Sequence, residues 1–236
     1  MIARIPRDRR GIREVQFKIK ICGITSVEDA CAAVDAGADA LGLNFYHGSK
    51  RCIDHAVATG IAEQIDFRTD RVGVFVNESA EQIDAVCETA RLHLIQLHGD
   101  EPPNLLGQLN HEHDVIRAVR FGAGGIRSVR KDWECWAMAG SFGPDAILVD
   151  AAASGQFGGT GNTVDWKLLA GYDAWLNDIP LILAGGLTPA NVAEAIRIVR
   201  PHAVDVASGV ESAPGKKDTA MMRDFVAAAR AAFAEL

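Results

Sequence analysis

The sequence has few cysteines, and they are not spaced in the pairs that metal sites and disulfide frameworks use. It has five cysteines, an odd number, and no two of them form a C-x-x-C pair. Such a set does not build a disulfide framework or a zinc site, and it is typical of a reducing compartment, so we expect a cytoplasmic protein. No apolar run approaches the roughly 18 residues that span a membrane, so we expect no membrane contact.

A surplus of positive charge is also missing. The chain carries 24 Lys and Arg against 31 Asp and Glu, a formal charge of −7. A net acidic chain is not drawn to DNA, RNA or anionic lipid, so we expect no nucleic-acid partner, although a local site for a small anion stays open. Gly and Pro together are about an eighth of the chain and 48% of residues are hydrophobic, which indicates a globular fold.

The first sixteen residues differ from the rest in composition. Residues 1–16 include five arginines and have a formal charge of +3, which leaves −10 for the remainder. They lack the apolar stretch of a secretory signal. We therefore interpret residues 1–16 as a basic, loosely ordered N-terminal extension and residues 17–236 as one domain.

From Phe17 onward, short apolar runs alternate with segments of helical period. Helices are predicted from capping and periodicity at Ser26–Ala36, Ser79–Thr89, Pro189–Val199 and about Asp218–Leu236. The predicted strands are Phe17–Cys22, Ala40–Tyr46, Val72–Val76, Leu92–Leu97, Val115–Val119, Ala146–Val149, Leu181–Ala184 and Ala203–Ala207.

Eight strand–helix units predict an α/β fold, a single (β/α)8 TIM barrel, with a doubly wound open sheet as the alternative. Polar residues at alternate strand positions favour the barrel, because they can point inward while the aliphatic residues face the helices. Lys20 and Cys22 share one side of the first strand, and Ile19 and Ile21 share the other.

In such a barrel the chemistry lies at the C-terminal ends of the strands. Gly185-Gly186 follows the seventh predicted strand and Ser208-Gly209 the eighth. Glycines at adjacent strand ends can offer free backbone N–H groups to a phosphate, although each pair alone is also typical of an ordinary tight turn. The glycine cluster Gly158–Gly161, in the loop after the sixth strand, matches no nucleotide-binding motif.

Two further strand ends carry titratable groups. Cys22 ends the first strand, where Lys20 on the same face could activate its thiol, unless Asp205 neutralises that lysine. Asp150 follows the sixth strand, where a carboxylate must be solvated or paired. Without such neighbours Cys22 would be read as a small buried hydrophobe.

The ordered motifs resemble those of the phosphoribosylanthranilate isomerase family of tryptophan biosynthesis, over about Phe17 to Leu236. Cys52, where the family tends to have Tyr, and Asn162, where Lys is common, depart from the pattern, as does the arginine-rich extension. The motifs that carry the resemblance are Lys20-Ile21-Cys22-Gly23-Ile24-Thr25, Ser49-Lys50-Arg51, Gln96-Leu97-His98-Gly99-Asp100-Glu101, Leu148-Val149-Asp150, Gly158-Gly159-Thr160-Gly161 with Val164-Asp165-Trp166, Leu183-Ala184-Gly185-Gly186-Leu187 and Val204-Asp205-Val206-Ala207-Ser208-Gly209-Val210-Glu211.

The resemblance implies an Amadori rearrangement of N-(5-phosphoribosyl)anthranilate to 1-(2-carboxyphenylamino)-1-deoxyribulose 5-phosphate. It implies no metal and no cofactor, one small phosphorylated substrate, and a monomer or homodimer. The roles it implies are Cys22 as general base, with a thiol pKa that the site lowers, and Asp150 as general acid. Arg51 would bind the anthranilate carboxylate, and the phosphate would be bound by Gly185, Gly186, Ser208 and Gly209.

Two alternatives remain at this stage. A related barrel isomerase of histidine biosynthesis performs the same rearrangement, but is expected to have Asp at the position of Cys22. A non-catalytic barrel could retain the glycine pairs and bind phosphate without turnover. Loss of anthranilate-type fluorescence would distinguish an enzyme from a binding protein.

Overall fold

Eight parallel strands close into a barrel in the computed structural model, which describes residues 15–65, 69–110, 113–121, 125–138, 143–151, 166–172, 176 and 179–236. The last strand pairs with the first, so the open sheet is excluded and the TIM-barrel prediction is confirmed. The strands are β1 Ile19–Cys22, β2 Ala40–Asn44, β3 Asp70–Phe75, β4 Leu94–Leu97, β5 Asp114–Phe121, β6 Ala146–Ala151, β7 Leu181–Leu183 and β8 Ala203–Val206.

Helices connect the strands and pack around the barrel. Within the described residues, the α-helices are α1 Val27–Asp35, α2 His55–Gln64, α3 Ala80–Thr89, α4 Gly125–Met138, α5 Val192–Val199 and α6 Thr219–Phe233. Short 3-10 helices lie at Pro103–Gly107, Trp166–Leu168 and Ser208–Val210, and a two-stranded hairpin of β9 Glu211–Ala213 and β10 Lys216–Lys217 follows β8.

Side-chain alternation divides the core into two layers, as the strand pattern predicted. Ile19 and Ile21 belong to the large apolar cluster between strands and helices, whereas Ala40 and Leu148 belong to a smaller cluster inside the barrel. Lys20 lies in register with Ala40 of β2, and is therefore an inward-facing, fully buried cation.

Helix capping agrees with the sequence at three of the four predicted helices. The side chain of Ser26 accepts a hydrogen bond from the N–H of Asp29, and Asp218 caps α6 in the same way. Ser79 and Gln82 form a reciprocal capping box at α3. These local bonds fix where each helix begins.

The predicted start of the third of these helices, at Pro189, is wrong. The helix begins at Val192, after Asn191. The Asn191 side chain accepts from the N–H of Thr188 at 2.8 Å and donates to the carbonyl of Gly186 at 3.0 Å. It therefore fastens the glycine turn after β7, and residues 189–191 form a turn.

Candidate active site

The C-terminal ends of all eight strands meet at one mouth, because every strand in the barrel is parallel to its neighbours. The structure brings Cys22, Asp150, the loop containing Arg51, and the two glycine turns to this mouth. The Gly158–Gly161 loop, also predicted there, lies outside the described residues.

Cys22 ends β1 and is nearly buried. Its register partner on β2 is Gly42, and a Cβ at that position would lie 2.6 Å from the Cys22 Sγ. Only glycine leaves room for the thiol at this point of the barrel. Gly42 was not singled out in the sequence, because a glycine within a strand gives no indication of the side chain opposite it.

Lys20 forms a buried ion pair with Asp205 across the β1–β8 pairing, with 2.9 Å between Nζ and Oδ1. Burial alone would lower the pKa of Lys20, but the Asp205 carboxylate raises it above its ordinary value. The lysine is therefore held as a cation, with its charge largely balanced by its partner.

The pKa of Cys22 shifts in the direction opposite to the lowering expected from the resemblance. Burial raises the pKa of the Cys22 thiol, because it disfavours the thiolate more than Lys20 and Lys217 favour it, and Asp205 adds to the increase.

Arg51 follows β2 and is fixed by a carboxylate that sequence reasoning did not assign. Its Nε and Nη2 each donate to Glu211 at 2.7 Å in a bidentate pair. The aliphatic part of the Arg51 side chain packs over Gly23, which has a φ of 73°. A Cβ at Gly23 would overlap Arg51 Cδ. This pair holds the guanidinium beside the end of β1.

Glu211 in turn contacts a second buried cation, Lys217, at 2.9 Å. Burial alone would raise the pKa of Glu211, but Arg51 and Lys217 together hold it below its ordinary value. Glu211 appeared in the sequence only as the end of a motif, and Lys217 was not considered, because neither has a local pattern that indicates its partner.

Asp150 lies one residue before the end of β6, and its side chain is 11% exposed. The nearby His98 places its Nε2 3.7 Å from Asp150 Oδ2, a distance that is too long for a hydrogen bond. The His98 Nδ1 lies 2.8 Å from the Gln96 amide nitrogen. His98, which was named in the sequence only as part of a family motif, thus lies beside the carboxyl expected to act as the acid.

The predicted phosphate-binding turns lie on adjacent strands. Gly185 and Gly186 adopt φ values of 85° and 66°, and the N–H groups of Gly186, Ser208 and Gly209 have no hydrogen-bond acceptor within the described part of the chain. Ser208 and Gly209 begin a 3-10 helix, where free N–H groups are the rule. A Cβ on Gly209 would overlap the carbonyl oxygen of Leu187.

The described residues contain no cluster of three or more His, Cys, Asp or Glu side chains that could hold a metal ion. Among the same residues, no helix is long and apolar enough to cross a membrane. Trp136 is buried in the outer core, and Trp133 and Trp166 pack against that core.

Known proteins resemble the chain in both sequence and structure. A family model described as N-(5'phosphoribosyl)anthranilate (PRA) isomerase matches residues 19–228. The N-(5'-phosphoribosyl)anthranilate isomerase of Trichlorobacter lovleyi is 45% identical over 216 residues, which are 92% of this chain and 99% of that protein. The protein of the same name from Neisseria meningitidis serogroup C is 44% identical over 217 residues, 91% of this chain and 97% of that one.

Solved structures agree. The phosphoribosyl anthranilate isomerase of Thermotoga maritima superimposes with a TM-score of 0.80 at 39% identity, over 92% of this chain and 100% of that one. A structure of such an enzyme in complex with reduced 1-(o-carboxyphenylamino)-1-deoxyribulose 5-phosphate gives a TM-score of 0.77 at 38% identity, with the same coverage.

A closed parallel barrel with titratable groups at its mouth, together with these relatives, defines an aldose–ketose isomerase of the (β/α)8-barrel class. The chain belongs to the N-(5'-phosphoribosyl)anthranilate isomerase family, and its role is the isomerisation step of tryptophan biosynthesis. The family resemblance inferred from the sequence motifs is thereby confirmed.

Proposed function

We propose that Cys22 and Asp150 are the general base and general acid that convert N-(5-phosphoribosyl)anthranilate to 1-(2-carboxyphenylamino)-1-deoxyribulose 5-phosphate. The observation that supports this assignment is their placement. A nearly buried thiol at the end of β1 and a nearly buried carboxyl one residue before the end of β6 lie at the same mouth of the barrel, which the glycine turns also border. Both groups can exchange protons with a substrate bound between them.

The first step opens the ribose ring. Asp150, in its carboxylic acid form, donates its proton to the ring oxygen while the C1′–O bond breaks, and the nitrogen lone pair forms a C1′=N Schiff base. The side chain of Asp150 is only 11% exposed.

The second step removes the C2′ proton. The Cys22 thiolate takes this proton, the C2′–H electrons form a C1′=C2′ double bond, and the electrons of the C1′=N bond return to nitrogen. The resulting enol tautomerises to the C2′ ketone as a proton is added at C1′. Atoms and electrons balance without an added oxidant or reductant, so the reaction is an isomerisation.

The phosphate is assigned to the turns after β7 and β8. Free backbone N–H groups at Gly186, Ser208 and Gly209 support this assignment, as does the Asn191 side chain that fastens the first turn. The phosphorylated ligand of the solved relative is of the same chemical class.

Replacing Gly186 with Val should raise KM strongly while the protein stays folded. A β-branched side chain is strained at a φ of 66° and would displace the turn that donates to phosphate. Gly171→Val is the matched control, because Gly171 has a φ of 75° with nothing within 4 Å of an added Cβ. Steady-state kinetics of both variants measures the difference, and an unchanged KM in folded Gly186→Val would contradict the phosphate assignment.

Arg51 is assigned to the anthranilate carboxylate. Glu211 accepts the Nε–H and one N–H of Nη2, so the second N–H of Nη2 and both N–H groups of Nη1 are left for the substrate carboxylate. Glu211 is therefore the group that orients the guanidinium toward substrate.

Arg51→Lys should lose much of the activity, at least about tenfold in kcat/KM, because an ammonium cannot bind Glu211 bidentately and the substrate carboxylate as well. Lys50→Arg, at an exposed neighbouring position, should change kcat/KM little. Parallel kinetics of the two variants tests the assignment. Equal losses would indicate a general field of positive charge in place of a specific contact.

The proposal extends to the location and the assembly of the protein. The proposed location is the cytoplasm, supported by five cysteines that are all free. The proposed assembly is a monomer or a homodimer, and one solved relative, from Thermotoga maritima, is described as dimeric. Light scattering on the eluting protein would measure the mass of the 25.2 kDa chain in solution.

Loss of anthranilate-type fluorescence on adding purified protein to N-(5-phosphoribosyl)anthranilate tests the function directly. We expect turnover without added metal or cofactor. A protein that binds the phosphorylated product analogue but never reduces the fluorescence would contradict the proposal and indicate a binding protein.

A further inference from the structure

Lys217 is a buried cation that the assigned chemistry does not use. It lies in β10, and its side chain has no exposed surface. Its Nζ donates to the carbonyl of Ala207 and to Glu211 Oε1, each at 2.9 Å. Both partners belong to the segment that follows β8 at the mouth, so the ammonium is held below the surface of the site.

The hairpin that carries Lys217 is fastened to the start of α1. The Lys217 N–H donates to Asp29 Oδ2 at 3.1 Å, and the Thr25 hydroxyl donates to the carbonyl of Gly215 at 2.6 Å. Thr25 lies only three residues after Cys22. The backbone that ends β1 thus also fixes the position of Lys217.

The charges around Cys22 do not balance. Among the described residues, three cations and one carboxylate act on the thiol through their charge, and a second carboxylate, Glu211, pairs with two of those cations, which leaves an excess of one positive charge. Ionising the thiol would neutralise this excess, and in a buried region the gain is larger than it would be in water. The groups are Lys20 from β1, Arg51 from the loop after β2, Asp205 from β8, Glu211 from β9 and Lys217 from β10.

We propose that Lys217 is a positioning residue for the isomerisation, which fixes Glu211, and through it Arg51, and supplies the positive charge that balances the Cys22 thiolate. The Lys20–Asp205 pair is neutral, whereas Arg51 and Lys217 share the single carboxylate of Glu211, so Lys217 brings the positive charge of this second group into excess. The inference rests on the proposed role of Cys22 as the base.

Alkylation of Cys22 by iodoacetamide, followed by mass spectrometry of the Cys22 peptide at pH 6 to 10, tests this without requiring turnover. Lys217→Met should slow the alkylation at pH 8 by at least about threefold and shift its pH dependence upward, because the thiolate loses its balancing charge. Lys217→Arg should restore most of the rate. Lys216→Met, which changes the exposed neighbouring lysine, is the matched control.

Glu211→Gln provides a second variant with the opposite sign, since removing a carboxylate increases the positive excess and should speed the alkylation. An unchanged alkylation profile in folded Lys217→Met, an equal effect of Lys216→Met, or slower alkylation in Glu211→Gln would overturn the inference. If wild-type protein shows no turnover while these alkylation effects are present, the proposed function fails and the assignment of Lys217 to the thiol stands.

Discussion

Cys22→Ala should lower kcat by at least about 10²-fold, because alanine has no group that can accept the C2′ proton. Substrate affinity should survive, since the phosphate and carboxylate contacts are assigned to other residues. Steady-state kinetics by the fluorescence assay measures both quantities. Near-normal kcat in this variant would return Cys22 to the role of a small core residue.

Cys87→Ala is the control for the loss of a buried thiol. Cys87 lies on α3 in the outer core, and burial raises the pKa of its thiol to about 12. It therefore carries no thiolate at neutral pH. Its replacement should reduce stability by the usual cost of a small cavity and leave kcat unchanged.

The pH dependence of the alkylation of Cys22 by iodoacetamide should reflect the raised pKa of the thiol. Only the thiolate reacts, so the alkylation rate should increase with pH until the thiol ionises. Because burial raises this pKa above the ordinary thiol value, the increase should continue beyond about pH 8.5. An alkylation rate that is already maximal at pH 7 would contradict the raised pKa.

Asp150→Asn should lower kcat to a similar extent, at least about 10²-fold, because an amide cannot donate the proton that opens the ribose ring. The change is nearly isosteric, so KM should change little. Single-turnover kinetics should show substrate bound but unconverted.

Asp100→Asn is the matched control for a lost carboxylate at the mouth. Asp100 lies two residues after His98, is exposed, and pairs with Arg120. Its replacement should leave kcat within about twofold of wild type, as expected for a surface ion pair. If Asp100→Asn lost as much activity as Asp150→Asn, the loss would come from the change of net charge at the barrel mouth, and Asp150 would not be a specific acid.

The barrel could be predicted from the sequence because its signals are local. Ser26 and Ser79 cap helices through bonds that span three residues, and alternation within β1 separates Lys20 from Ile21 without reference to any other strand. The start of α5 was mispredicted because Asn191 bonds to Thr188 and Gly186 of the turn. A site contact there overrode the local preference of Pro189.

The residues of the candidate site that lie at strand ends could be predicted from the sequence, whereas the ion pairs between residues distant in the sequence could not. Cys22 and Asp150 are recognisable from position and from the family motifs. The Arg51–Glu211 pair joins residues 160 positions apart, and no sequence pattern indicates it. Asp205 was considered as a group that could neutralise Lys20, and the structure confirms that pair, yet the balance of burial and charge that raises the Cys22 pKa depends on distances that only the fold provides.

The most direct test of the account is the release of label from substrate deuterated at C2′, measured in single turnovers by mass spectrometry of substrate and product. Wild-type protein should lose the C2′ deuterium at the rate of product formation, and Cys22→Ala should retain it. The account predicts that loss of the thiol slows this release by at least about 10²-fold. Release at near wild-type rate in folded Cys22→Ala would contradict the central claim that Cys22 removes the C2′ proton.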